Sequence, residues 1–496
     1  MKHRPNDNAD KELLVDVNPY RTRVVLMENG VPVEFYIERR EKERLVGNIY
    51  KGRVQNVLHG MFAAFIDINE EKNAFLYAGD IKLPTELSDG EQIDSKPTPA
   101  MICDIIRNGQ DIMVQIEKEP VGGKGARATT HISLPGRTLV FMPTVDFIGI
   151  SKRITGDAER KRLKELISRI RPEGTGVIVR TAARELEDEE IEQDLMSLVE
   201  EWRRIQKRYN ECLAPSLIHK EDSLIFRTVR DLFKNDVRRL VVNDETDSDL
   251  IRSLVPEELA SRVELYDDSR DMFESFGVEQ EIDAALARKV WLKSGAYIVI
   301  DQTEALTSID VNTGKYVGNV SLDRTIVETN KEAAVEIARQ LRLRDIGGII
   351  IIDFIDMEDE HDRRAVIDTL SEALRCDRTK SVVLGMTQLG LVEVTRKKLR
   401  STISASLQTV CPYCGGSGHI LSPATVALRI RRDLLLRISE DDDPQEFTVT
   451  ANPEVIRLLE EHSEEEYAIT PQLAAKTVTW RSNPAMHIEE YYIKNI

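Results

Sequence analysis

From Glu12 to Glu38, apolar and polar residues alternate on both sides of Asn29-Gly30, a dipeptide suited to turns whose two central residues need φ > 0. That pattern predicts a hairpin. Between Leu45 and Glu119 lie short β-rich runs at 47–50, 63–68, 74–77 and 112–116, separated by turn signals, which predict a small barrel. The Pro- and Asp-containing stretch from Lys82 to Pro99 would be an excursion from it. A Gly-rich break, Gly122 to Gly125, opens a region with strands at 137–142 and 176–181 around a charged helix from Ala158 to Ile170. Ile191, Leu195, Leu198 and Trp202 then recur at helical spacing and predict a helix over about 189–210, ending near Pro215.

Helix and strand signals alternate from Leu224 to Leu265, with a buried strand at 238–243. A helix over 279–293, strands at 296–300 and 305–311, a long helix at 323–345, a nearly all-apolar strand at 349–354 and a helix at 361–374 follow. This alternation predicts an α/β layer around a central sheet. The glycine cluster after Cys411 marks a boundary, beyond which about 75 residues of mixed α/β character close the chain.

With 496 residues, 41% hydrophobic and 31% charged, the chain holds enough apolar material for several domains, and collagen-like, disordered and disulfide-scaffold classes are excluded. Met1 to Glu12 lacks the apolar stretch of a signal peptide, and the most apolar run, Gly347 to Ile352, is too short to span a bilayer. Five scattered cysteines fit a reducing compartment rather than a disulfide framework, so the expected location is cytoplasmic. A net charge of −18 argues against a polyanionic partner. Basic clusters at 203–204, 238–239, 396–400 and 429–432 stand apart from the acidic blocks, however, and net charge leaves the partner open.

Two segments carry candidate chemistry. Ile309-Asp310-Val311-Asn312-Thr313-Gly314 brings an acid to the end of a strand, and Ile350-Ile351-Ile352-Asp353-Phe354-Ile355-Asp356 ends an apolar strand in carboxylates. Groups at the carboxyl ends of strands face the ligand crevice of α/β sheets. On neighbouring strands Asp310 and Asp353 would converge, with Asn312 beside them, as a hard-oxygen site suited to Mg2+ and able to activate water. The alternative is that these residues cap helices or pair with Arg342 and Arg344.

Cys411-x-x-Cys414, followed by glycines, suits a Zn2+ knuckle with two thiolates, whose other ligands would be His419, Cys376 or the same knuckle of a second subunit. Ordinary reduced thiols or a redox motif are the alternatives. Phe65 and Phe75 are base-stacking candidates, with Lys118 and Lys124 for phosphates, against the alternative of core aromatics. Arg180-Thr181 could clamp a phosphate, or Arg180 could pair with Glu185 or Glu187.

These motifs cohere. The runs 60–67, 302–314, 337–348 and 353–357 and the Cys411 knuckle closely resemble the ribonuclease E/G family of bacterial endoribonucleases, over almost the whole chain. The resemblance is expected to be to members without the long disordered tail of the E type. The resemblance implies a multidomain α/β fold: an RNase H-like domain from 1–41 and 222–285, an inserted OB-fold RNA-binding barrel at 42–120, a 5′-sensor at 121–221, a DNase I-like catalytic domain at 286–407, a zinc link at 408–420 and a small oligomerisation domain at 421–496.

It further implies that Asp310, Asn312 and Asp353 are catalytic, with Mg2+ on the two aspartates, and that Phe65, Phe75, Lys118 and Lys124 bind RNA. Gly136, Val140, Arg180 and Thr181 match a pocket for a 5′-monophosphate. A fifth position there, an arginine in the family, is Lys380 here, with Arg378 two residues away. Lys holds a phosphate as a point charge, not bidentately. Cys411 and Cys414 match the zinc link, in which two subunits give two thiolates each to one Zn2+ of a homodimer or homotetramer.

The expected function is a Mg2+-dependent, single-strand-specific endoribonuclease of rRNA maturation and mRNA turnover, stimulated by a 5′-monophosphate and leaving 3′-hydroxyl and 5′-phosphate ends. Two rivals remain. A non-catalytic RNA-binding scaffold would have no chemical reason to keep Asp310, Asn312 and Asp353 together. A phosphoesterase for DNA or small nucleotides would leave the barrel aromatics and Arg180-Thr181 idle.

Overall fold

The computed structural model describes residues 10–39, 44–58, 61–81, 105–120, 124–184, 186–314, 322–440, 446–461 and 477–495. Gly60, the whole 82–99 stretch and Gly122-Gly123 lie outside the described residues. Two compact units form, Met1–Ser406 and Leu407–Ile496.

Asn29 and Gly30 have φ of 52° and 75° and join strand Arg21–Glu28 to Val31–Arg39. The predicted hairpin is one strand short, because Lys11–Val17 pairs antiparallel with Arg21–Glu28. The added turn contains no glycine. Asn18 makes it instead, its side-chain oxygen accepting the N–H groups of Tyr20 and Arg21, both at 3.0 Å. Strands Val237–Val242 and Val263–Leu265 extend the far side in parallel, giving a five-stranded sheet.

The second layer is a barrel. Ile49–Leu58, Ala63–Asp67, Ala74–Tyr77, Arg127–Thr129 and Asp111–Lys118 pair in that order, and the last pairs back on the first. Closure removes the unpaired edges, and Tyr50, Val54, Ile66, Leu76, Val114 and Ile116 fill the interior. This closed five-strand barrel fits an OB-like domain.

A four-stranded sheet of Ile148–Ile150, Gly176–Val179, Leu139–Met142 and Leu134–Pro135 follows. Its helices are Asp157–Ile170 and Asp188–Glu211. The latter starts on Asp188, Glu189 and Glu190, which suit the positive end of the helix dipole, and buries Ile191, Leu195, Leu198 and Ile205.

The sheet that positions the candidate site runs Lys289–Trp291, Tyr297–Gln302, Leu306–Asn312, Gly348–Asp353, Leu391–Arg396, Ser381–Met386. Leu306–Asn312 and Gly348–Asp353 are parallel, joined by helix Leu322–Leu343, and the other pairs are antiparallel. One face is core: Ile298, Ile300, Ile309, Val311, Ile350 and Ile352 pack with Ala334, Ile337 and Leu341 of that helix and Val366 and Leu370 of Glu360–Leu374. The other face is open, exposing Trp291, Ile349 and Leu384.

The helix predicted over 279–293 ends early. Val278–Leu286 is helical, Ala287 turns extended, and Lys289–Trp291 forms an edge strand against Tyr297–Gln302. Pairing with a strand several residues ahead outweighed the local helical pattern.

In the second unit, helix Pro423–Glu440 and helix Pro453–Glu461 share a core with a three-stranded sheet of Thr477–Ser482, Glu446–Ala451 and Tyr491–Asn495. No helix among the described residues is long and apolar enough to cross a membrane.

Candidate functional site

Asp310 and Asp353 face each other in register on the parallel strands Leu306–Asn312 and Gly348–Asp353. Directly opposed residues present side chains to the same face, so both carboxylates stand on the open side of the sheet. Asn312 shares that face and donates its amide N–H to Asp310 Oδ2 at 2.8 Å. Burial first, then the charges of Asp310 and Asp356, push the Asp353 carboxyl above the ordinary carboxylate range.

The backbone around these groups is fixed from beneath. At Gly314 φ is +60°, and a Cβ there would approach the Gly295 carbonyl oxygen to 2.5 Å, so only glycine closes the turn after Asn312. Asn330, fully buried in the long helix, donates to the Ile355 carbonyl at 2.8 Å and accepts the Ile355 N–H at 3.1 Å. Its amide therefore splints the loop that leaves Asp353. Nothing in the local sequence announces that role.

Pairing with Arg342 or Arg344 does not occur. Arg342 binds Glu28 and Glu34 at 2.9 and 3.0 Å, and Arg344 donates to Gln340 at 2.6 Å. The carboxylate pair has no cationic partner among the described residues. Two hard-oxygen acids and an amide oxygen within one face fit a Mg2+ ion, which takes one or two carboxylates and keeps water and phosphate oxygens as its other ligands. Groups of three or more His, Cys, Asp or Glu side chains set to hold a metal do not occur among the described residues.

In the barrel, the register aligns Phe65, Phe75, Arg127 and Lys118 on four adjacent strands. The two rings meet edge to face with centroids 5.9 Å apart, and both are half-buried. Lys118 and Lys124 are exposed. Arg127, overlooked in the sequence because its strand is three residues long, sits in the same row, held by Asp80 at 2.7 Å and Glu117 at 3.1 Å.

Arg180 makes no ion pair with Glu187 among the described residues, and Glu185 lies outside them. It binds Asp231 at 2.5 Å and the Gly136 carbonyl at 2.6 Å. A side chain at Gly136 would strike Asp194, whose carboxylate accepts the N–H of Thr138 at 2.8 Å and shapes the loop. Thr181 shares a hydroxyl hydrogen bond of 3.1 Å with Ser151, and Val140 is half-buried in its strand.

Asp231 collects several cations. Burial alone would raise its pKa, but Arg230 and Arg180 hold it below the ordinary range. Arg378 donates to its carbonyl at 3.1 Å, and Lys234 beside them is lowered by burial and by Arg378 and Arg180. Lys380 is exposed and makes no ion pair among the described residues. Arg378, rather than Lys380, thus joins the Arg180 cluster.

Cys411 and Cys414 stand on a glycine turn. Backbone N–H groups of Gly418 and Gly416, with the Cys411 thiol, lower the Cys414 pKa and favour a thiolate. His487 fixes the knuckle, its Nε2 lying 2.6 Å from the Tyr413 carbonyl and its ring 4.1 Å from the Tyr413 ring. A thiolate pair cradled by backbone amides fits Zn2+. His419 does not join the two thiols in a metal-binding group.

Fold and site together define a mixed α/β protein with an OB-like barrel and, among the described residues, an uncompensated carboxylate pair. A sequence model of the Ribonuclease E/G family matches residues 133–399. Ribonuclease G of Escherichia coli (strain K12) is 42% identical over 483 residues, 97% of this chain and 98% of its own length. Ribonuclease G of Haemophilus influenzae is 42% identical over 465 residues, covering 93% and 94%. Ribonuclease E of Escherichia coli (strain K12) is 38% identical over 435 residues, 86% of this chain but 40% of that protein. The chain belongs to the ribonuclease E/G family.

Proposed function

We propose that the chain is a Mg2+-dependent, single-strand-specific endoribonuclease of RNA processing and decay. The observation that carries this reading is the in-register pair Asp310 and Asp353 at the open ends of two parallel strands, with Asn312 bonded to one of them. The two aspartates would hold Mg2+, which when bound supplies charge neutralisation at the phosphate and a more acidic water. Asn312 fixes the Asp310 carboxylate through its amide N–H, and the oxygen of that amide would orient the metal's ligands or the scissile phosphate. Asn330 keeps Asp353 at its strand end through Ile355. Cleavage by water in line with the leaving 3′ oxygen gives a 3′-hydroxyl and a 5′-phosphate.

Around that centre, the barrel row of Phe65, Phe75 and Lys118, with Lys124 nearby, grips single-stranded RNA through stacking and phosphate contacts. Gly136, Val140, Arg180 and Thr181 form the 5′-monophosphate pocket, where Asp231 now occupies the guanidinium a phosphate would take. Lys380 would add a point charge there, beside the Arg378 guanidinium. The five-stranded sheet is the RNase H-like domain, the six-stranded sheet the DNase I-like one. Cys411 and Cys414 of two subunits share one Zn2+, and the small unit completes a homodimer or homotetramer.

The test is cleavage of one short single-stranded RNA bearing a 5′-monophosphate or a 5′-hydroxyl, with and without Mg2+. The reading requires Mg2+-dependent cutting that is faster for the monophosphate. A folded, zinc-loaded protein that binds this RNA without cutting it would establish the scaffold reading instead. For the link, Cys414→Ser is expected to lower zinc content and oligomer mass together, and a dimer surviving with full zinc would refute it.

A further inference from the structure

Beside the carboxylate pair lies a group that the proposed function does not use. Trp291, on the edge strand Lys289–Trp291, is 60% exposed although it belongs to the sheet. It faces Tyr297 across the strand pair, ring centroids 5.2 Å apart and edge to face at 63°. The Lys289 ammonium lies 4.0 Å from the centre of the Trp291 ring and 3.5 Å from that of Tyr297. A cation between two rings orders both, and it makes no ion pair with an acid among the described residues. The opposite side of the same strands is ordinary core, with Val290 and Ile298 buried. The aromatic face is therefore not needed to bury the sheet.

Its position gives it a purpose. Tyr297 is the register partner of Asn312, and Asn312 is bonded to Asp310. Lys289, Trp291, Tyr297, Asp310, Asn312 and Asp353 consequently share one open face, with the tryptophan about 10 Å, two interstrand spacings, from Asn312. Phosphates are held at the carboxylates and bases extend from them. An exposed indole and phenol at that range offer π faces to an unpaired base, and the ammonium between them offers charge to the adjoining phosphate.

We propose that Lys289, Trp291 and Tyr297 form a base-stacking subsite for the nucleotide flanking the scissile phosphate of single-stranded RNA. It is separate from the barrel aromatics Phe65 and Phe75. It would explain how an acidic chain grips a polyanion next to its own carboxylates: stacking supplies affinity that charge there cannot. The subsite rests on the reading of Asp310 and Asp353 as the cleavage centre.

The experiment uses the full-length, zinc-loaded protein and a short single-stranded RNA with one cleavage site. Stacking on an aromatic contributes about 1–3 kcal/mol per base, so Trp291→Ala is expected to raise KM about tenfold with a smaller change in kcat. Trp291→Phe should restore most of the loss. In Mg2+-free buffer the RNA should quench the wild-type tryptophan emission, and the quench should disappear in Trp291→Phe. An abasic nucleotide beside the cleavage site should cost the wild type about as much as Trp291→Ala does, and should cost the variant little more. Unchanged KM in both Trp291→Ala and Tyr297→Ala, with Asp310→Asn inactive, would overturn the subsite while leaving the cleavage centre in place. Continued cutting by Asp310→Asn would overturn the centre and the subsite with it. Loss of oligomer mass in Trp291→Ala, with RNA affinity unchanged, would make the patch a subunit contact and also overturn the proposal.

Discussion

The strand Gly348–Asp353 has acids near both ends, and they live in opposite electrostatic worlds. Where the strand begins, Gly348 is the register partner of Arg396, whose guanidinium binds Asp377 at 2.7 Å and Asp345 at 2.8 Å. Arg400 adds a bond to Asp345 at 2.8 Å. All three groups of that triad are nearly sealed from water. Where the strand ends, Asp353 faces Asp310 with Asp356 close by, and no cation among the described residues answers them. Compensated buried charge holds the fold, whereas uncompensated exposed charge of one sign is where the proposed function puts a cation. The identity of the residue is the same at both ends, so only the partner distinguishes structure from chemistry.

Four substitutions would break or sharpen this contrast. Asp353→Asn, at the uncompensated end, is expected to lower cleavage by about three orders of magnitude, the equivalent of several kcal/mol of lost charge stabilisation. Its thermal midpoint should hold or rise slightly, because removing one of two like charges relieves repulsion. Asp377→Asn at the compensated end should do the reverse. Removing one partner of a buried pair costs about 3–5 kcal/mol, read as a lower denaturation midpoint, while each folded molecule cuts normally.

Asn330→Ala falls between the two ends. It leaves the Ile355 N–H and carbonyl without their side-chain partner, at a cost of about 1–3 kcal/mol. Cleavage should fall about tenfold, mainly in kcat, because Asp353 loses its splint rather than its charge. Equal losses in kcat and stability-corrected RNA affinity would argue against a positioning role. The smallest effect is expected at the 5′ pocket. Lys380→Arg should raise the preference for a 5′-monophosphate a few-fold, about 1 kcal/mol for a fork in place of a point charge. No change in that ratio would remove Lys380 from the pocket and leave Arg378 as its cation.

Sequence made one of these two ends readable and hid the other. Asp310, Asn312 and Asp353 were legible because each closes a short apolar run, and strand ends in α/β sheets are where chemistry collects. The triad was not, since Arg396 lies 51 residues from Asp345 and 19 from Asp377, separations that carry no local pattern. The same limit explains the strand at Lys289–Trp291: its residues continue a helical run, and only pairing with Tyr297–Gln302 makes them extended. Asn18 hid a turn because the expected glycine was absent. The long helices at 157–170 and 188–211 came through within a residue or two, since their periodicity is local and their acidic first turns mark the start.

The most direct test sets the two ends of that strand side by side: the cleavage rate of a 5′-monophosphorylated single-stranded RNA and the thermal midpoint, measured for Asp310→Asn and Arg396→Ala. Asp310→Asn should be inactive at an unchanged midpoint, and Arg396→Ala should melt early yet cut normally while folded. An active Asp310→Asn, or an Arg396→Ala that is stable but inactive, would contradict the assignment of chemistry to the uncompensated end.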